Sequence, residues 1–241
     1  MKKFDTMTTG QIVACNYRHA ALFRRYRIDF CCQGNVPFRE ACQKAGVDSQ
    51  TLLKELEKET PRAYFTIDFQ SWPTDLLLDY IRKFHHRRAR SESALIIELA
   101  EKVLVTHNER HPELRALHQL IRHSMNDLEN HIHKEEQVLF PYIYEMTEAL
   151  SLGLHPRPFY CGTLKSPVAI MMTEHHTEGE RWREIHRLTD GYTTPDDGCA
   201  TYRLFMERIK LFEQGLEHHI HLENNILFPR AIAMELSSRQ R

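Results

Sequence analysis

Two short segments of this chain repeat one chemical pattern. His131-Ile132-His133-Lys134-Glu135 and His219-Ile220-His221-Leu222-Glu223 both read H-I-H-x-E, and each runs on through an apolar pair to Phe-Pro, at Phe140-Pro141 and Phe228-Pro229. A histidine doublet precedes each segment. His85 stands 46 residues before His131, and His175 stands 44 residues before His219. On a helix, residues i and i+4 share a face about 6 Å apart along the axis, so such a His and Glu reach one metal ion or two neighbouring ones. Within the two repeated segments only His131/Glu135 and His219/Glu223 make that pair, because His133 is followed four residues on by Gln137, His221 by Asn225 and His218 by Leu222. Four imidazoles and two carboxylates, from His85, His131, Glu135, His175, His219 and Glu223, suit two metal ions with open positions. Nitrogen and oxygen ligation of that kind fits iron or manganese better than a closed structural zinc site. The neighbours His86, His133, His176, His218 and His221 are expected to be solvated or to support the ligands.

Helices must carry these groups. Glycine and proline are few (9 and 10) and clustered, and apolar residues recur with a 3.6-residue period rather than a strand's alternation. The expected fold class is therefore all-α, an up-down four-helix bundle with a small N-terminal helical domain. The bundle segments are expected over about 74–106, 112–152, 167–190 and 197–235. The candidate ligands fall on their apolar stripes: Leu78-Ile81-His85 and then Glu92-Leu95-Leu99; Leu128-His131-Glu135; Val168-Met171-Met172-His175; Leu216-His219-Glu223. Charge on a core-facing stripe is costly without a partner, and a metal pair is such a partner. Residues 1–62 form the expected small domain, with helices over 9–26, from Pro37 to Gly46 and over 49–59. Asp48 caps the last of these. Residues 60–72 are a linker, and 72–241 form the bundle.

Bulk composition excludes several classes. With 32 Lys+Arg against 33 Asp+Glu the net charge is −1, which asks for neither nucleic acid nor a membrane surface as partner. No apolar run is long enough to span a bilayer, and the N-terminal stretch lacks the apolar core of a secretory signal. The six cysteines form no C-x-x-C pair, so reduced thiols in a cytoplasm are expected.

These motifs resemble those of a known family, the di-iron iron–sulfur cluster repair proteins (RIC, Repair of Iron Centers). The likeness runs through Lys83-Phe84-His85, H-x-x-K-E-E-Q-x-L-F-P at 131–141, Glu174-His175 and H-x-x-L-E-N-N-x-L-F-P-R-A at 219–231. In the N-terminal part it runs through Leu22-Phe23-Arg24-Arg25-Tyr26 and Asp29-Phe30-Cys31-Cys32. It departs at Gln33, where the family usually has Gly. The resemblance implies a hemerythrin-like bundle holding two non-haem irons with a bridging oxygen species, on the six residues already chosen, with Glu135 and Glu223 as bridges. It implies repair of iron–sulfur proteins damaged by nitric oxide or peroxide, by iron donation or by nitric oxide binding or reduction, the last a possible enzymatic activity. Cys31 and Cys32 become a thiol pair that passes iron, a nitrosyl group or electrons, or else ordinary thiols at a helix end. The competing reading is a hemerythrin-like binder or sensor of oxygen or nitric oxide, although oxygen carriers tend to have five histidines. A ferritin-like oxidase would carry Glu-x-x-His pairs, which this chain lacks. A homodimer is compatible with the sequence.

Overall fold

The computed structural model describes residues 2–58, 67–160 and 162–239. Part of the expected linker, including Pro61, and Cys161 lie outside the described residues. Among those described, the chain is helical and has no strand, only one antiparallel bridge between Thr8 and Pro37. In order the helices are α1 (Lys2–Asp5), α2 (Thr9–Cys15), α3 (His19–Arg25), α4 (Phe38–Lys44), α5 (Ser49–Lys58), α6 (Thr74–Tyr80), α7 (Arg87–His107), α8 (Glu113–Lys134), α9 (Phe140–Ser151), α10 (Lys165–Leu188), α11 (Ala200–Leu222) and α12 (Phe228–Arg239). Three wider π-helical turns, Ile81–His86, Glu135–Leu139 and Glu223–Leu227, join α6 to α7, α8 to α9 and α11 to α12.

The π-turns are a departure from the uninterrupted helices expected. Two of them have a visible cause. Pro141 and Pro229 lack an amide hydrogen, and a proline ring inside an α-helix clashes with the carbonyl four residues back. One extra residue in the turn before each Phe-Pro relieves that conflict. In both, the ladder closes five residues apart, from the Phe140 amide to the Glu135 carbonyl and from the Phe228 amide to the Glu223 carbonyl. Wide turns of this kind gather at functional sites.

The expected first helix, 9–26, is broken. Asn16 is extended (φ −161°, ψ 107°), and its side-chain oxygen accepts from the Arg18 amide at 3.2 Å. An asparagine that satisfies backbone two residues on competes with the helix ladder. Asp48 does cap α5, accepting from the Thr51 amide at 2.8 Å.

The chain divides into two compact units: Met1–Leu77 with Met146–Lys165 and His218–Arg241, and Leu78–Glu145 with Ser166–Glu217. In the second unit four helices close a ring of antiparallel neighbours. Arg90 meets Glu129 while Arg122 meets Glu101, which sets α7 against α8. His131 meets Glu174 while Asp127 meets Arg181, which sets α8 against α10. Trp182 stacks on Phe212 with centroids 5.4 Å apart, and Arg208 reaches Glu92 on α7 at 3.5 Å. Ile81, Ile121, Ile185 and Ile209 lie fully buried in this core. Each such side chain contributes about 1.5–3 kcal/mol when taken from water.

In the first unit the turn after α3 is pinned to the π-turn at 223–227. Asn225 donates to the Phe30 carbonyl (3.2 Å) and the Cys31 carbonyl (3.4 Å), and Asn224 donates to the Cys31 carbonyl (3.2 Å). The Asn225 side chain sits between two glycines. A Cβ on Gly10 would lie 2.1 Å from its Oδ1, and one on Gly34 would lie 2.3 Å from the same atom and 2.6 Å from the Phe30 carbonyl. Moving Asn225 alone does not clear the backbone clash at Gly34. Gly34→Ala is therefore expected to cost about 1–3 kcal/mol, the usual penalty of overpacking. Urea unfolding measures it, and an unchanged midpoint would refute the clamp.

Candidate metal centre

In the second unit His131 projects inward from the end of α8. Its Nδ1 donates to the Glu174 carboxylate at 2.8 Å, because a carboxylate only accepts. Glu174 is held down to about 2 by that bond first and by its ion pair with Lys134, against partial burial. With Nδ1 committed, the Nε2 lone pair faces the interior. There it lies 2.9 Å from His175 Nε2 and 3.3 Å from Glu135 Oε1. Two ligands about 2.1 Å from one ion at a right angle stand about 3 Å apart, so this spacing matches the edge of a six-coordinate shell. His131, Glu135 and His175 each offer a donor atom within 4.8 Å of the others. All three are buried, Glu135 completely.

The second oxygen of Glu135 faces a different imidazole. His86 Nε2 lies 3.4 Å from Glu135 Oε2, and His86 Nδ1 pairs with Glu136 at 2.9 Å. Arg90 grips the same Glu136 with two bonds of 3.0 and 3.1 Å. Burial works against the Glu136 charge, but Arg90 and His86 hold its carboxyl below the usual range. His86 is thus oriented as metal-binding histidines are, one nitrogen fixed by an acceptor and the other turned inward. One carboxylate addressing two imidazole groups through its two oxygens can bridge two cations.

The π-turn Ile81–His86 spans the histidine doublet. Counting forward from Leu78 and Ile81 arrives at His85. Beyond the π-turn the buried positions are Ile96, Leu99, Ala100 and Val103, while Glu92 and Leu95 are only partly covered. Both doublet histidines are buried, at 5% and 0% exposure. His85 lies edge-on to Tyr80 and Phe84.

In the first unit His219 and Glu223 form the matching pair. His219 Nε2 lies 2.9 Å from Glu223 Oε1, and both are buried. The neighbouring histidines divide. His133 and His176 are exposed, as expected, and Met172 too is exposed rather than packed. His218 and His221 are drawn inside instead. Tyr17 lies over His218 with centroids 3.9 Å apart, and Phe30 is edge-on to His221. Burial pushes these two imidazoles down to about 3 and about 4, which keeps them neutral.

The sulfurs of Cys31 and Cys32 lie 3.7 Å apart without a disulfide, the first residue buried and the second partly so. Asp29 Oδ1 accepts from the amides of Cys31, Cys32 and Gln33 at 3.0, 2.9 and 3.2 Å and so fixes the turn. Arg24 lies over the Tyr17 and Phe30 rings, and Arg25 pairs with Glu55.

Helices that turn buried His and Glu donors inward, with supporting carboxylates outside them, define a helical cation-binding protein. Residues 78–231 match the hemerythrin HHE cation binding domain, and residues 5–60 match a domain of unknown function (DUF542). Two relatives bear the name iron-sulfur cluster repair protein YtfE. One, from Yersinia pestis (strain Pestoides F), is 30% identical over 232 residues, which cover 96% of this chain and 99% of the relative. The other, from Yersinia pseudotuberculosis serotype IB (strain PB1/+), is 32% identical over the same lengths. The chain belongs to this hemerythrin-like iron–sulfur cluster repair family. Among the described residues no helix is long and apolar enough to cross a membrane.

Proposed function

We propose that this protein holds two non-haem iron ions and repairs iron–sulfur clusters damaged by nitrosative or oxidative stress in the cytoplasm. The observation that carries the metal pair is Glu135, fully buried, with one oxygen toward His131 and the other toward His86. The ligand set is His131, Glu135, His175, His219 and Glu223 with one imidazole of the His85–His86 doublet. His86 is the better placed of the two. Bound there, iron supplies one-electron chemistry and open positions for a small ligand such as nitric oxide. The chain does the rest. Glu174 and Glu136 fix the tautomers of His131 and His86, and burial excludes water from the carboxylates. A ligand set of imidazoles and carboxylates without a thiolate would hold iron loosely enough to release it to a damaged cluster. Cys31 and Cys32 serve that transfer as a thiol pair. The names of the relatives support the repair role.

One experiment tests both parts. Anaerobically purified protein is assayed for iron and for restoring activity to an enzyme with a peroxide-damaged [4Fe–4S] cluster. The native chain is expected to carry two irons and restore activity. His86→Ala is expected to lose iron, while His85→Ala keeps most of it; the reverse result moves the ligand to His85. Full iron without restoration sinks the repair role alone. The alternative, a reversible oxygen or nitric oxide binder, draws on one observation: His86 adds a buried imidazole to the four expected. A slowly autoxidising oxygenated form in air, with no restoration, would establish that reading instead.

A further inference from the structure

At one end of the second unit's helices stands a second cluster of reactive side chains. His107, the last residue of α7, has its Nε2 3.2 Å from the sulfur of Cys199. Cys199 immediately precedes α11 and is exposed. The turn before it is tightly built. The Gly198 amide donates to the Pro195 carbonyl at 2.8 Å, and a Cβ on Gly198 would lie 2.5 Å from the Thr194 side chain. Arg203 ties the Gly198 carbonyl back to α11 at 2.9 Å. His107 is also positioned. Its ring lies edge-on to Tyr202, and His111 is its neighbour with centroids 6.3 Å apart. His111 in turn is held between Asp197 (2.9 Å) and Glu113 (3.0 Å), which raise its pKa, the Asp197 bond most. The charged groups around the thiol are therefore His107 from α7, Arg110 and His111 from the following turn, Glu113 from α8, Asp197 from the preceding loop, and Tyr202 and Arg203 from α11.

We propose that Cys199 and His107 form a thiol–imidazole pair and that Cys199 is a site of oxidation by hydroperoxides. A thiol held by an imidazole, with that imidazole held by a third group, is the arrangement that activates a sulfur nucleophile. The His107 bond first, then the amides that open α11, bring Cys199 down to about 7, whereas burial pushes Cys42 up to about 11. In the reaction, the sulfur attacks one peroxide oxygen. The S–O bond forms as the O–O bond breaks, and sulfur gives up two electrons to the departing oxygen. The hydroxide that leaves takes up the thiol's proton, passed on through the His107 ring. The products are a sulfenic acid and water. None of these groups belongs to the metal centre or to the Cys31–Cys32 turn.

The magnitude is modest and calculable. At pH 7 a thiol at about 7 is half ionised, about fifteen times more than an ordinary one near 8.5. Its intrinsic nucleophilicity is about fivefold lower, which leaves a net gain of about threefold. The test is peptide mass spectrometry of the full metal-loaded chain, first with iodoacetamide, which needs no oxidant, then with hydrogen peroxide and a sulfenic-acid trap. Cys199 in the native chain is expected to alkylate with a midpoint near pH 7, and His107→Gln is expected to move that midpoint up by about one unit or more. Sulfenic acid is expected at Cys199 and to fall in the variant. A native midpoint above pH 8, or trapping at Cys199 that ignores the His107 change, overturns the proposal.

Discussion

Glu135→Ala is expected to strip the protein of iron more completely than removal of any single histidine. In the proposed centre each histidine would serve one ion. The Glu135 carboxylate faces His131 through Oε1 at 3.3 Å and His86 through Oε2 at 3.4 Å, so its loss removes a ligand from both places at once. Loss of an outer group beside a metal ligand costs about 10–100-fold in affinity, and loss of a shared ligand should exceed that. Glu223→Ala, in the equivalent position of the repeat, is expected to match it. Iron per chain after anaerobic purification measures the effect, and cluster restoration should vanish with it. Glu135→Gln separates charge from shape, since a neutral amide fills the same space but bridges cations poorly. Iron retained in full by Glu135→Ala would mean that the carboxylate does not bridge, and the two-ion reading would fail.

The sequence carried much of this site because its repeat is local. His131/Glu135 and His219/Glu223 are each one helical turn apart, and a four-residue spacing on an amphipathic stripe survives whatever the rest of the fold does. The cap at Asp48 is equally short-range. What was not legible depends on backbone that departs from ideal helix. The π-turn at Ile81–His86 carries no proline to announce it, yet it holds the doublet whose His86 meets Glu135. Asn16 breaks the first helix through its own side chain, a choice that a periodic pattern does not record. The clamp of Asn225 between Gly10 and Gly34, and the meeting of His107 with Cys199, join residues far apart along the chain. No spacing rule connects them.

The same limit applies to the polar group buried beneath the His131–His175 pair, and there the largest effect on stability is expected. Glu178 on α10 is buried and accepts from Trp182 Nε1 at 2.8 Å and from Ser124. Arg181, three residues on, pairs with Glu178 and reaches Asp127 on α8 at 2.6 Å. Trp182 and Ser124 satisfy the carboxylate's hydrogen bonds without neutralising its charge; Arg181 supplies the opposite charge. Removing one partner of a buried ion pair strands the other, at a cost of about 3–5 kcal/mol. Arg181→Met keeps the bulk of the stem and deletes only the charge, so it is expected to lose that amount in urea unfolding. Glu178→Gln keeps an acceptor for Trp182 and leaves no stranded charge. The double variant should therefore regain most of the loss, about 2 kcal/mol or more, as a coupled pair does and independent sites do not. A cost for Arg181→Met within the ±0.5 kcal/mol of ordinary surface changes, or a double variant no more stable than the single, would show that solvent rather than Arg181 balances Glu178. The cores of α8 and α10 would then owe their register to Trp182 and its apolar neighbours alone.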